Sequence, residues 1–244
     1  MFNPTYAVLV GLSVLLVVMF PLTRHLARRS DRRQYWVLQA ITLIGALVGA
    51  KMSVLFGDAG WPRRPVEDWW AVLISGRSIT GALILGFVVA ESAKPLLGYR
   101  MPPNDRFAAL LPFTLAIGRV GCLLTGCCRG VPWEGFCAIH YDDGIWRHPA
   151  QAYEIVFNLA VGCVFVMMVR RGILFGRLFA LYLVAYGVLR FGTEFVRETP
   201  KVFGPLSGYQ VLCVVMVVLG AWFVVRRTVR PPEAWAALRP AGTT

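Results

Sequence analysis

The chain has 244 residues, 57% of them hydrophobic and 16% charged, with a mean hydropathy of +0.61. Ordinary soluble domains carry roughly 25% charged residues, and several apolar stretches here reach about 20 residues, enough to cross a bilayer as helix. A soluble globule is excluded. The net charge of +12 does not indicate nucleic acid, because no RNA- or DNA-binding motif is present and membrane proteins gather Lys and Arg on their cytoplasmic loops.

Taken in chain order, the apolar segments give seven spans: Tyr6–Leu22, Trp36–Phe56, Trp70–Val89, Phe107–Leu124, Ala152–Val169, Leu178–Phe195 and Leu206–Val225. They predict an all-α polytopic membrane protein. The first lacks a basic region before it and a small-residue cleavage site, and its positive charges follow it; it reads as a reversed anchor rather than a cleaved signal peptide. Ser75, Gly76 and Arg77 interrupt the third, and the alternative there is a broken or re-entrant segment running on to Leu97. Irregular backbone at membrane depth is tolerated only where it is buried in protein or lines a wet cavity, so this segment is a site candidate. Residues 1–230 read as one integral membrane domain and 231–244 as a disordered cytoplasmic tail. Neither low-complexity tracts nor clear internal repeats are evident.

The basic residues of successive loops set the orientation. Arg24, Arg28, Arg29, Arg32 and Arg33 follow the first span, and only Arg63 and Arg64 the second. Next come Lys94, Arg100 and Arg106; then Arg129 and Arg147; then Arg170, Arg171 and Arg177; then Arg197 and Lys201; and last Arg226, Arg227, Arg230 and Arg239. The richer loops alternate with the poorer ones, which puts the N-terminus outside and the C-terminus in the cytoplasm. Loops 57–69, 129–150 and 197–205 then face out.

Charges near a bilayer core are costly and mark function. Here they are Lys51, Arg77, Glu91, Arg119, Glu154, Arg190 and Glu194. Each has a plainer reading: Lys51 snorkels outward, Glu91 pairs with Lys94, and Arg190 and Glu194 neutralise each other one turn apart. Yet the cations outnumber the anions, and Lys51, Arg77, Arg119 and Arg190 all lie toward the outer halves of their spans. Guanidinium forks suit phosphate oxygens, so the pattern indicates an outward-opening pocket for an anionic lipid head group. The segment Trp146–Glu154 adds His148, Gln151, Tyr153 and Glu154, with Pro149 suited to a first helical turn. His148 is a candidate general base or, equally, a helix cap or loop contact.

Of six cysteines, Cys163 and Cys213 lie mid-span and read as apolar filling. Cys122, Cys127, Cys128 and Cys137 are near the outer face. Zinc is disfavoured, since no C-x-x-C pair is present and adjacent Cys127 and Cys128 make a poor chelate. A disulfide from Cys137 to Cys127 or Cys128, a thiolate activated by Arg119 or Arg129, and plain packing stay open.

Several segments, in order, resemble the prolipoprotein diacylglyceryl transferase family. They are Gly49–Asp58 (GAKMSVLFGD, with Lys51 where an arginine is usual), Gly76–Gly86 (GRSITGALILG), Gly118–Pro132 (GRVGCLLTGCCRGVP), Arg147–Glu154 (RHPAQAYE), Tyr186–Glu198 (YGVLRFGTEFVRE) and Leu206–Gln210 (LSGYQ). The resemblance implies transfer of diacylglyceryl from phosphatidylglycerol to the lipobox cysteine of a prolipoprotein signal peptide in a bacterial plasma membrane, with release of glycerol phosphate and no cofactor or metal. It implies catalytic roles for Arg119, Arg190, Tyr186 and Glu194. Substrate contacts would come from Lys51, Arg77, Thr80, Gly81, Cys122, Cys127, His148, Gln151, Tyr153, Glu154 and Arg197. Three departures stand out. Thr80 occupies the place of the family's His-Gly-Gly histidine, the favoured candidate base, and Cys122 and Cys127 replace an asparagine and a glutamate of the signature. The phosphate-holding half is kept and the thiol-activating half rewritten. Competing readings are a lipid-modifying enzyme with another acceptor or a cysteine relay, and a non-catalytic protein that binds anionic lipid.

Overall fold

The computed structural model describes Val8 and residues 29–61, 69–75, 78–98 and 104–226, with backbone alone at 29–32 and 106. The first expected span, apart from Val8, lies outside these residues, as do Arg77 and the tail. Seven helices are described: α1 (Arg29–Gly57), α2 (Trp69–Ser75), α3 (Ile79–Leu96), α4 (Asp105–Leu124), α5 (Ala150–Arg171), α6 (Leu178–Thr193) and α7 (Gly208–Arg226). Two short hairpins accompany them, β1 (Ile139–His140) with β2 (Trp146–Arg147) and β3 (Lys201–Phe203) with β4 (Leu206–Ser207), both antiparallel. All helices but α2 are long and apolar enough to cross a membrane, and the protein is an all-α polytopic membrane protein.

The third span is corrected. Trp70–Val89 is not one helix: α2 stops at Ser75, Ser78 is extended (φ −120, ψ 124), and the spanning helix is Ile79–Leu96. The broken alternative running on to Leu97 matches this. The Ser78 amide, outside any helix, bonds the Ala50 carbonyl of α1 at 3.1 Å, so the break is held by protein, as irregular backbone in a bilayer requires.

Without a hydrophobic force between helices in lipid, packing relies on small residues that let backbones meet. Along α1, Gly45, Gly49 and Ser53 recur every fourth residue against α3. A Cβ on Gly81 would stand 2.2 Å from the Gly49 carbonyl oxygen and 2.2 Å from Ser53 Oγ. At the ends, α7 begins where Gly208 meets the Phe56 carbonyl, and the Tyr209 ring covers Gly57. The buried core joins Leu83 and Phe87 of α3, Ala108 of α4, Phe165 of α5, Tyr182, Leu183 and Tyr186 of α6, and Met216 of α7. Large apolar side chains also cover the outside, among them Leu43, Leu47, Val156, Val188, Val218 and Trp222, as a lipid-facing surface should.

The two ends of the bundle differ. At one, α5 closes on Gly172 in the left-handed region (φ 66) with Arg170 and Arg171 in its last turn, complementing the helix dipole. Asp105 there accepts from the amides of Leu178, at 3.1 Å, and Gly176, which satisfies orphan donors at the start of α6. Glu91 and Lys94 pair at 2.6 Å in α3, as their plainer reading had it. The other end gathers residues 58–61 and the connections 125–149 and 194–207, and these carry the site. Of the two mid-span cysteines, Cys213 is fully buried filling, whereas Cys163 lies on the exposed side of α5.

Candidate active site

Glu154 sits in the first turns of α5 and is 1% exposed. Four groups converge on it from other elements. Arg119 Nε, near the end of α4, donates to Oε2 at 2.8 Å. The Tyr186 hydroxyl of α6 donates to the same oxygen at 3.0 Å, and Arg190 Nη1 to Oε1 at 3.0 Å. Arg197 Nη1 stands 3.8 Å from Oε1. The convergence follows from helix periodicity, since Tyr186 and Arg190 are one turn apart on the face of α6 turned to α5. The same register continues one turn deeper, where the Tyr182 hydroxyl bonds Asn158 Oδ1 at 2.7 Å.

A second carboxylate completes the cluster. Glu194 is fully buried in a 3₁₀ turn, residues 194–196, after α6. Its Oε2 lies 3.0 Å from Arg190 Nη2 and 3.7 Å from Arg197 Nε. Its Oε1 accepts from Ser207 Oγ at 3.3 Å and from the Thr199 hydroxyl, and its carbonyl accepts from Lys201 Nζ at 2.6 Å. Burial pushes the Lys201 ammonium below its usual value, against the pull of Glu194. The plain reading of Arg190 and Glu194 as a self-neutralising pair is therefore incomplete, because Arg190 also serves Glu154. Three guanidinium groups and the Lys201 ammonium face the carboxylates of Glu154, Glu194 and Asp58, a surplus of one positive charge, and the Arg190 guanidinium stands 5.7 Å from the Tyr209 ring centroid. Arg190 Nε and Arg197 Nε and Nη1 are buried donors with no hydrogen-bond partner. Such donors cost about 1–3 kcal/mol each when nothing accepts from them.

The thiols lie beside this cluster. The turn after α4 brings Cys122, Cys127 and Cys128 together, their sulfurs all within 4.8 Å of one another. Thr125 Oγ1 donates to Cys127 Sγ at 3.4 Å. All six cysteines are free, Cys137 included. Hydrogen bonds from Cys122 and then Cys127 hold the Cys128 thiol well below its ordinary range, with help from the Arg197 and Arg119 charges against burial. Backbone bonds fix the turn to the Glu194 segment: Gly130 bridges Arg197, and the Val131 amide meets the Val196 carbonyl at 2.9 Å. Arg147 clamps it from the other side, reaching Asp143, Glu198 and the Gly130 carbonyl.

Of the residues anticipated from sequence, Arg119, Glu154, Tyr186, Arg190, Glu194 and Arg197 form one connected cluster. Gln151, fully buried, ties it to the thiol turn, donating to the Cys127 carbonyl at 2.5 Å and accepting from the Tyr141 hydroxyl at 3.0 Å. His148, in the loop before α5, stacks on Trp133 and meets the hydroxyl of Tyr153, in the first turn of α5, at 3.1 Å through Nδ1, which sets this pair apart from the groups on Glu154. Lys51 donates to the Ile74 carbonyl at 2.8 Å, holding the broken segment. Gly81 is the contact of α3 with α1, and Thr80, 1% exposed, has a hydroxyl without a hydrogen-bond partner. Thr199, Lys201, Ser207, Asn158 and Tyr182 were not anticipated. For Asn158 and Tyr182 the signal was available, since each stands one turn from a residue already singled out.

A multi-pass helical bundle with a buried, cation-rich cluster at one end defines a membrane protein that handles an anionic group. The family model of prolipoprotein diacylglyceryl transferase matches residues 4–226, and the chain belongs to that family. Relatives described as phosphatidylglycerol–prolipoprotein diacylglyceryl transferase include one from Dehalococcoides mccartyi, 27% identical over 94% of this chain and 91% of that one. One from Nitratidesulfovibrio vulgaris strain DP4 is 33% identical over 75% of this chain and 73% of that one. The match to one from Polynucleobacter asymbioticus, 35% identical, spans about half of each chain, 51% in both cases.

Proposed function

We propose that this protein moves the diacylglyceryl group of phosphatidylglycerol to the lipobox cysteine thiol of a prolipoprotein signal peptide, releasing glycerol phosphate. The observation that carries the reading is the set of buried guanidinium donors on Arg190 and Arg197 that make no hydrogen bond, in a cluster with surplus positive charge. A lipid phosphate supplies both the missing acceptor atoms and the missing negative charge. Arg119, Arg190 and Arg197 hold the phosphate and stabilise the charge it gains as it departs. Glu154 and Glu194 orient the forks, and the Tyr186 hydroxyl fixes Glu154. Positioning and electrostatics then do most of the work, because phosphate is already a fair leaving group. The alternation of basic loops supports a bacterial plasma-membrane setting with the cluster at the outer surface, where secreted preproteins emerge.

The test uses purified full-length protein in detergent with phosphatidylglycerol and a lipobox peptide. Glycerol phosphate release and a diacylglyceryl mass gain on the peptide are expected together, and both are lost in Arg119→Ala and Arg190→Ala. If neither signal appears while the lipid binds and a known transferase works alongside, the reading is wrong.

A further inference from the structure

The phosphate-holding set proposed above does not use Cys122, Cys127 or Cys128, yet these three free thiols have their sulfurs within 4.8 Å of one another. Tetrahedral thiolates about 2.3 Å from a zinc ion stand about 3.8 Å apart, so small side-chain rotations bring these three to coordination distance. Their spacing hides this. Neighbouring residues on a regular helix or strand point apart, and Cys127 and Cys128 converge only because Cys128 has φ 60. A non-glycine residue in the left-handed region costs about 1–2 kcal/mol, and backbone strain of this kind gathers at functional sites. The turn is over-determined to keep it: Arg129 Nε bonds the Gly126 carbonyl at 2.6 Å, and Gln151 holds the Cys127 carbonyl.

We propose that Cys122, Cys127 and Cys128 form a three-thiolate site for a thiophilic divalent cation of the zinc type, whose fourth position takes the acceptor thiol. Soft thiolates select such ions over magnesium or calcium, and three protein ligands with one open position is the arrangement of catalytic rather than structural zinc. Cys122 is buried while Cys127 is exposed, so the cluster is anchored on α4 and open toward an incoming peptide. Three thiolates around a divalent ion carry a net negative charge, and the cationic Arg197 is tied to the thiol turn by the backbone bridge to Gly130, two residues after Cys128.

The proposal rests on the transferase reading and supplies what that reading lacks. Thr80 cannot deprotonate a thiol, whereas a thiol that coordinates such an ion loses its proton outright. The acceptor S–H proton leaves to solvent. The sulfur attacks the glyceryl carbon that bears the phosphate, an S–C bond forms and the C–O bond breaks. The bonding pair departs on the phosphate oxygen of glycerol phosphate.

The experiment titrates full-length, metal-stripped protein in detergent and reductant with cobalt(II) alone, then with zinc(II). One equivalent of cobalt should give thiolate-to-cobalt charge transfer and the intense visible bands of tetrahedral coordination, and zinc should erase both. Outer-sphere changes alone cost 10–100-fold in metal affinity, so Cys127→Ser and Cys128→Ser should each weaken binding by about a hundredfold or more, with melting and lipid binding kept as controls of folding. A lipobox peptide should shift the cobalt bands, and its cysteine-to-serine version should not. A pale spectrum that the Cys→Ser variants do not alter overturns the site. Thiolate bands blind to the cysteine peptide overturn the acceptor role. Full glycerol phosphate release from metal-stripped protein overturns the proposal while leaving the transferase reading intact. A peptide-sensitive cobalt site without any release fails that reading and keeps the site.

Discussion

Glu154 and Cys128 both answer to Arg119, the first through a 2.8 Å hydrogen bond and the second through its charge, but they meet it from differently built surroundings. Around Glu154 both carboxylate oxygens are occupied, and the three groups that hydrogen-bond them, Arg119, Tyr186 and Arg190, are fixed by helix register. Around Cys128 the backbone is strained, the sulfurs are reduced and two of the three thiols are exposed. The cluster is wired to hold one ligand class in one pose. The thiol turn keeps its bonding capacity open. On the proposed reading the first is a donor site whose electrostatics exist before the lipid arrives, and the second an acceptor side that completes itself on the second substrate.

The comparison breaks most directly at Glu154. Removing one partner of a buried ion pair leaves uncompensated charge, which costs about 3–5 kcal/mol. Glu154→Ala strands Arg119 and leaves Arg190 with Glu194 alone, and it should yield protein that melts far lower in detergent or does not purify as a single species. A melt unchanged from the parent would mean that the cluster is not what holds α4, α5 and α6 together. Next in size is Arg190→Lys. The charge survives but the fork that serves Glu154 and Glu194 at once does not, and an ammonium cannot reproduce it. Glycerol phosphate release should fall about 100- to 1,000-fold, the usual cost of one lost donor at a developing anion, with little change in melting.

Thr80→Val sharpens the acceptor side of the contrast. The Thr80 hydroxyl is buried without a hydrogen-bond partner, and valine keeps its shape. Relief of an unsatisfied polar group is worth about 1 kcal/mol, or roughly 2–4 °C in melting temperature for a chain of this size. Transfer should change by less than about tenfold, since a threonine hydroxyl is no base. A collapse of activity in this variant would show that the hydroxyl holds a substrate.

The ionic cluster was largely legible in the sequence because charges in apolar spans have few places to go: Arg119, Glu154, Arg190 and Glu194 could not face lipid and had to find one another. Arg197 was legible only through its motif, lying just past a helix. The break in the third span was signalled by Ser75, Gly76 and Arg77, though length alone favoured a single helix over Trp70–Val89. Other features were hidden for physical reasons. Asp105 caps the start of α6 across 71 residues of sequence, which no local pattern encodes. The meeting of Cys122, Cys127 and Cys128 depends on the sign of one backbone angle, and the residue type at 128 argues against that sign. The outward placement of Cys163 turns on helix rotation, which an almost uniformly apolar α5 leaves undetermined.

The smallest expected effect concerns how the thiol turn is tethered. Asp143 joins Arg129, at 2.6 Å, to Arg147, at 3.0 Å, and Arg147 in turn reaches Glu198 beside the cluster. Against a desolvation cost, the Ile145 amide and the Arg147 and Arg129 charges hold the Asp143 carboxyl below its usual value. A carboxylate depressed in the folded state releases its proton more readily there than in the unfolded chain. Its stabilisation is therefore complete above the ordinary aspartate range near pH 4 and is lost as pH falls through the folded value. Asp143→Asn should lower the melting temperature slightly at pH 7, and the gap should close on acidification as the parent loses the same contribution. Salt should narrow the gap too, since these side chains are only partly shielded from water. A gap that persisted at low pH would mean that Asp143 does not act through its charge, since the asparagine carbonyl oxygen can still accept from the Ile145 amide.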